Sequence, residues 1–552
     1  MSLLIQAENG IPVETVRIAK ASFGQKNGLV KLRDEFGPLF SDADFADLYS
    51  WKGSAGVPPV LLATITVLQY AEQLSDRQAA AMASSRIDWK YVLGVALDYA
   101  GFDASVLSEF RARLVAHEAS ERLLEKPLLR MREQGLVKAR GQQRTDSTHV
   151  LAAIRTLNRL ELVGETLRQA LNHIAVEGRG WLTSWVPNEW FARYSSRIET
   201  AKFPQDETQR QALVQTIAED GLRLLTALCD KTTPAYLKQL PAVRVLWRVW
   251  LEQYEVVDGT IGWRAAGNLP PAERLINSPY DPEARFSRKR NTTWTGYKAH
   301  LSESCDEELP HLITHVETTP ATEPDGQTLP KIHAALAAKQ LLPAEHLIDA
   351  GYVDIDNVVE SRQQHALEVI GPMRPDSSRQ AHEQAGYDIA HFVVDYATKT
   401  VTCPEGKTSA LWSPSTNHAG VQSITVRFRP KDCAVCPVKT LCTTAQSGAR
   451  GLRLQPTQEK HQTLQQARTD QLTPDFDQRY QPRAGIEGTL SQAVRTFTLR
   501  RTRFVGEAKT KLQHLAIASA INCARLVAWF QKRPRSRTRV SPFAELALPF
   551  PV

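Results

Sequence analysis

No run of eighteen apolar residues occurs in this chain of 552 residues, so no membrane-spanning helix is expected. The opening MSLLIQAENG lacks a basic start followed by an apolar core, so secretion is not expected, and a cytoplasmic location is. There are no internal repeats. Acids are scarce in one strip: from Arg479 to Lys511 there are eight Lys or Arg and only two acids, Glu487 and Glu507. What is present is an ordinary soluble composition, 42% hydrophobic and 23% charged. The 67 Lys and Arg against 60 Asp and Glu give a formal charge of +7. That balance is compatible with a polyanionic partner and does not by itself require one. The length is too great for one simple core, so two to four domains are expected.

The positive charge is local. RFSRKRNTTWTGYK (Arg285 to Lys298) carries Arg288, Lys289, Arg290 and Lys298, and the tail KRPRSRTR runs from Lys532 to Arg539. In the first patch Trp294 and Tyr297 interleave with cations, a pattern that suits phosphate contacts plus base stacking. For any one such patch a solvated face is the plain alternative.

Residues 1–135 read as a helical N-terminal domain: PPVLLATITVLQYA has a Pro start and helical apolar spacing, and DASVLSEFRARL has an Asp or Ser cap. QQRTDSTHV alternates, which predicts a strand. Helical periodicity returns over about 155–250. WTGYKAHLSES and HLITHVETTPA then predict a hairpin, followed by the helix LPKIHAALAAKQ, the strand EHLIDAG, the helix IDNVVESRQQH and the strand ALEVIGPM. This is an α/β order. It divides the chain into a helical 1–135, an α/β domain over 140–530 and a basic tail at 531–552. The α/β domain holds a helical insertion at 155–250 and a β-rich, cysteine-containing insertion at 375–456.

Three acids occupy informative places. Asp146 lies on the first strand. Asp349 ends the strand HLID before a turn. Glu487 begins a helix whose buried stripe is Ile486, Leu490, Ala493 and Phe497, with the acid at the border of that stripe. Three carboxylates from two strand ends and a facing helix suit Mg²⁺, a hard ion that prefers oxygen ligands and phosphates. Two such ions can drive in-line phosphoryl transfer. Each acid also has a plainer reading: Asp349 as a cap, Asp146 as a partner of Arg144, Glu487 as a surface i,i+4 partner of Arg483. Asp258, in YEVVDG, is the rival strand-end acid, although its Gly259 neighbour reads as a turn.

These pieces resemble a DDE-type bacterial insertion-sequence transposase with an RNase H-like catalytic core. TDST (Thr145 to Thr148) resembles the first-aspartate strand, LIDAGY (Leu347 to Tyr352) the second-aspartate motif, and GYKAH (Gly296 to His300) the strand between them. YQPRAGIEG resembles the tyrosine–two–arginine–three–glutamate signature through Tyr480, Arg483 and Glu487. The lysine expected seven residues after the glutamate is Val494 here, with Arg495 one place later. The resemblance spans roughly residues 15–530, and SDRQ and LSEFRARL resemble the N-terminal domain often joined to this core. It implies a mixed sheet flanked by helices, with Asp146, Asp349 and Glu487 holding two Mg²⁺ or Mn²⁺ ions. It further implies DNA contacts from Tyr480, Arg483, Arg495, Lys298, Arg288, Lys289 and Arg290, and a homodimer acting on double-stranded element ends and target DNA in a bacterial nucleoid. A nuclease of the same fold without strand transfer, and an inactive domesticated DNA-binding protein, are the alternatives.

Of seven cysteines, Cys229, Cys305 and Cys523 are scattered and are expected as reduced core residues. Cys403, Cys433, Cys436 and Cys442 have metal-site spacing. A Cys-x2-Cys turn suits tetrahedral Zn²⁺; an iron–sulfur cluster also takes four thiolates, and no metal at all is the third reading. If one ion is shared, TSALWS and SITVRFR must pair to bring Cys403 back, and the four sulfurs must converge.

Overall fold

The structure, a computed structural model, describes residues 10–535 apart from 25, 51–52, 54–55, 418–419 and 445–447. The end of the basic tail, Ser536 to Arg539, lies outside the described residues.

In chain order the strands are β1 (Gln142–Leu151), β2 (Tyr254–Val257), β3 (Thr260–Trp263), β4 (Arg285–Lys289), β5 (Thr292–Ser304), β6 (Ile313–Pro320), β7 (Glu345–Ile348) and β8 (Glu368–Ile370). Five short ones follow: β9 (Val393–Asp395), β10 (Thr400–Thr402), β11 (Leu411–Thr416), β12 (Gln422–Arg427) and β13 (Gly451–Leu454). The main sheet is mixed. β5 runs antiparallel to β1, and both β4 and β6 pair antiparallel with β5; on the other side β7 and then β8 run parallel to β1. Three antiparallel strands followed by parallel ones reached through crossover helices form an RNase H-like core. The crossovers are the helices Asp325–Ala338 and Ile355–His365.

Among the described residues seven α-helices, from Val13–Phe23 to Arg122–Glu133, lie N-terminal to β1. Their starts are chemically marked: Asn27 accepts from the Leu29 and Val30 N–H groups, and Ser75 and Gln78 form a reciprocal capping box. They share a core with the sheet. One continuous buried cluster includes Phe45, Leu62, Trp89, Val316, Ile348 and Leu515. The C-terminal helix Glu507–Phe530 joins the two parts, packing on Pro59–Ala71 and on β6. Its Asn522 accepts from the Ile313 N–H at 2.7 Å and donates to the Ile313 carbonyl at 2.9 Å. A side-chain amide thus satisfies the backbone at the start of β6, as a buried polar group requires.

Between β1 and β4 the chain is helical from Arg159 to Gln253, with its own buried cluster of Leu167, Trp190, Ile217, Leu246 and Trp250. Gly221 is needed there, because a Cβ would stand 1.9 Å from the Trp250 indole. Helical periodicity runs through YEVV, yet the helix stops at Gln253 and Tyr254–Val257 becomes β2. The Asp258–Gly259 turn, at φ 49° and 79°, closes a β2–β3 hairpin, and β-branched Val256 and Val257 suit its strand. Asp258 is therefore on the tip of a hairpin that forms its own two-stranded sheet, not on a strand of the main one.

Candidate active site

Parallel register places the two aspartates. Thr145 pairs with Ile348, so Asp146 and Asp349 follow each other across adjacent strands at the end of β7. Asp349 turns the chain by accepting from the Gly351 N–H at 2.9 Å. It caps no helix; Asp354 does that for Ile355–His365.

Glu487 arrives from the helix Gly485–Arg495, which follows a 3-10 turn at Gln481–Ala484. A buried network presses this segment onto the sheet. Arg144 pairs with Glu303 of β5 at 2.6 Å and also donates to the Pro482 carbonyl. Glu303 accepts from Arg525 at 2.6 Å and from the Thr489 hydroxyl, on the Glu487 helix, at 2.6 Å. Gly485 permits the approach, since a Cβ there would stand 2.1 Å from Arg144 Nη1. Burial opposes the Glu303 charge, but Arg525, Arg144 and Thr489 outweigh it and hold the carboxyl below its ordinary value. Arg144 is thereby committed to Glu303 and not to Asp146.

The three acids meet on one side chain. Arg483 Nη2 lies 2.7 Å from Asp146 Oδ2 and 3.8 Å from Asp349 Oδ2, and Nη1 lies 3.2 Å from Glu487 Oε1. Asp146 and Arg483 are 13% and 15% exposed, Asp349 29% and Glu487 69%, so Glu487 is a solvent-facing acid and not the half-buried one expected from its helical stripe. Burial pushes the Asp146 carboxyl up to about 6; Arg483 opposes this and the Asp349 charge adds to it. Among the described residues no three His, Cys, Asp or Glu side chains converge closely enough to hold a metal; here the guanidinium stands between the acids.

A fourth carboxylate escapes the sequence reading. Asp325, at the start of the helix Asp325–Ala338, accepts from Lys298 Nζ at 2.8 Å and from the Ser147 hydroxyl at 3.2 Å. A Cβ on Gly351 would meet Asp349 Oδ1 at 3.0 Å and Asp325 Oδ2 at 3.4 Å, so both carboxylates flank one stretch of backbone. Burial disfavours the Asp325 charge, but Lys298 more than compensates and its carboxyl stays below the usual range. The available signal was Pro324–Asp325 opening a helix directly after β6.

The cations expected to touch DNA separate by environment. Arg288, Lys289 and Arg290 are exposed on β4 and the β4–β5 turn, and the charge of Lys289 reaches Asp146. Arg495 is exposed at the last turn of the Glu487 helix. Lys298 is committed to Asp325 and the Glu323 carbonyl, beside the acids. Tyr480 stacks on Phe476 at 5.4 Å and packs beside Cys305, Leu347 and Ile370. Trp294 and Tyr297 are a correction. Both are buried, the indole donating to the Tyr297 carbonyl and the phenol to Asp281, because β5 is a central strand with no free face for a base.

Cys403, Cys433, Cys436 and Cys442 line one cavity of about 360 Å³ together with Lys407 and Arg450. The antiparallel β11–β12 hairpin lies in the chain between Cys403 and Cys433, and all four thiols are free. They do not converge as expected, since no three are close enough to hold an ion. Burial pushes the Cys442 thiol up from its ordinary value. Cys305 and Cys523 are buried, whereas Cys229 is exposed at a helix end rather than in a core.

Residues 402–527 match the family described as transposase DDE domain, and residues 19–113 match the transposase domain (DUF772). Both matches support a DDE-type insertion-sequence transposase. The first match contains Glu487 and the four cysteines; Asp146 and Asp349 lie outside both. No curated protein and no solved structure gives a significant match.

Proposed function

We propose that this transposase binds the double-stranded ends of a mobile DNA element and catalyses metal-dependent strand cleavage and strand transfer, with Asp146, Asp349 and Glu487 as its catalytic acids. The observation that carries the reading is their convergence, from β1, the end of β7 and a helix, on a single cation. The donor set fits Mg²⁺ or Mn²⁺: hard carboxylate oxygens, partly open to solvent, with basic residues nearby for phosphates. Two bound ions would activate the attacking hydroxyl and stabilise the leaving oxygen. Around them, Tyr480, Arg483 and Arg495 from the helical segment, Lys298 beside Asp325, and Arg288, Lys289 and Arg290 on the hairpin would hold the DNA backbone. In this reading residues 1–135 recognise the element ends, residues 140–530 carry the chemistry, the tail from 531 adds non-specific phosphate contacts, and the protein works as a homodimer on DNA in the bacterial cytoplasm. No helix among the described residues is long and apolar enough to cross a membrane.

Asp349→Asn tests the assignment, because it removes a ligand charge and little volume. Cleavage of a duplex carrying the element end should be lost while binding of that duplex persists; equal loss of both would remove Asp349 from the chemistry. Strand transfer into a target plasmid separates a transposase from a nuclease of the same fold.

The four cysteines fit a structural Zn²⁺ in chemistry if not yet in spacing. Lys407 and Arg450 would balance the thiolate charge, and Arg450 Nε is buried with no partner among protein atoms. Closing the thiols on one ion would tighten the insertion that precedes the Glu487 helix. Metal analysis of purified protein tests this, and folded, active protein with neither zinc nor iron would refute it.

A further inference from the structure

We infer that Arg483 is an internal counter-ion that keeps the acid cluster closed while DNA is absent, and that metal loading and DNA binding are coupled through the release of this one side chain. The inference rests on the acid-cluster reading above. Three acids from distant parts of the chain would repel one another if nothing stood between them. Here one guanidinium touches all three, at 2.7, 3.8 and 3.2 Å. Arginine cannot lose its proton in a protein, so its charge cannot be switched off; it has to move. A divalent cation entering between Asp146 and Asp349 meets a fixed positive charge and carboxylate oxygens whose lone pairs are already engaged.

Arg483 is nevertheless imperfectly held. Its Nε is buried without any acceptor, which leaves one donor of the fork unused. The Glu487 arm is an exposed i,i+4 pair, weak by position and by solvent screening. The side chain also springs from the 3-10 turn Gln481–Ala484, between the helices Pro474–Tyr480 and Gly485–Arg495, and not from the middle of a helix. A phosphate offers this guanidinium a two-pronged acceptor with better geometry than three divergent carboxylates. DNA would therefore draw Arg483 out, and the vacated acids would accept the cation. By linkage, metal would raise the affinity for DNA by the same factor as DNA raises the affinity for metal.

The test is Mn²⁺ binding to the full chain without DNA, followed by electron paramagnetic resonance or calorimetry. Arg483→Ala and Arg483→Gln should bind Mn²⁺ about tenfold or more tightly than the unmodified protein, a coupling of about 1.4 kcal/mol. Both variants should also melt at a lower temperature without metal and recover more of that loss when Mn²⁺ is added. Arg483→Lys, which keeps the charge, should stay near the unmodified affinity. Adding a linear DNA duplex should tighten Mn²⁺ binding to the unmodified protein and leave the Arg483→Gln affinity nearly unchanged. Equal Mn²⁺ affinity in the unmodified, Ala and Gln proteins overturns the counter-ion role. Asp349→Asn in the Arg483→Gln background separates the two levels: if it leaves Mn²⁺ binding intact, the acid cluster is not the metal site and the underlying reading fails with it.

Discussion

Two carboxylate–arginine clusters lie on neighbouring parts of the same sheet, and they are built in opposite ways. In the first, Glu303 is fully buried between Arg144 and Arg525 and takes a third hydrogen bond from Thr489. Two arginines face this one carboxylate, and its carboxyl is held below the ordinary range. In the second, a single Arg483 serves three acids, its Nε has no partner, and Asp146 is pushed up to about 6. The first cluster is satisfied and joins β1, β5, the Glu487 helix and the C-terminal helix. The second is under-satisfied and opens to solvent through Glu487. A carboxylate whose acceptor sites are filled by buried donors serves the fold; acids in excess of their counter-ions are the pattern that functional sites favour.

Glu303→Gln should break this contrast most strongly. It leaves two buried arginines without their anion, and removing one partner of a buried pair costs about 3–5 kcal/mol. Denaturant unfolding should show that loss, and cleavage should fall with it because Glu487 loses its mount. A Glu303→Gln protein as stable as the original would mean that the network is incidental.

Asp325→Asn should act mainly on the chemistry and cost the fold less than Glu303→Gln, since Lys298 keeps the Glu323 carbonyl as a partner. Asp325 orients Lys298 and Ser147 beside Asp146. Supports of this kind around ligand side chains typically change activity or metal affinity about 10–100-fold. A cleavage assay paired with a melting curve distinguishes a positioning role from a structural one: Mn²⁺ affinity or cleavage should drop further than the loss of stability explains, and the melting temperature should fall less than in Glu303→Gln.

Asp146→Asn sharpens the contrast through its sign. A carboxyl whose folded pKa is raised binds its proton more tightly in the native state. The ionised group therefore costs stability, fully so above about pH 6, and the cost fades as pH falls toward the ordinary value near 3.8. In metal-free protein, Asp146→Asn should thus stabilise by about 1 kcal/mol at pH 7 and by nothing measurable near pH 3.5. Glu303 should behave in the opposite sense, its contribution being present at neutral pH and lost in acid. Melting curves across this range, with and without each substitution, check both signs.

Much of the frame was legible because it obeys local rules. QQRTDSTHV alternates and is β1; WTGYKAHLSES lies within β5 and THVETTP within β6; the acid of LIDAGY ends a strand. Asp325 was missed because an aspartate at a helix start is ordinary and only its neighbours make it notable. Trp294 and Tyr297 were misread because aromatics among cations look alike whether the strand is central or at an edge. Periodicity along the chain cannot see the hairpin that closes at Asp258–Gly259 and ends the helical stretch at Gln253.

The sequence by itself determined the class of elements, the resemblance to a family signature through Tyr480, Arg483 and Glu487, and the choice of Asp146, Asp349 and Glu487 as candidates. These are carried by residue types at short, fixed spacings, where chemistry and periodicity are readable along the chain. The tertiary structure alone decided that Arg144 answers Glu303, that Arg483 stands among all three acids, and that Asp325 joins them. Arg144 and Glu303 lie 159 residues apart and Arg483 and Asp146 337 apart, and only the sheet register and the packing of the Glu487 helix bring their charges within reach.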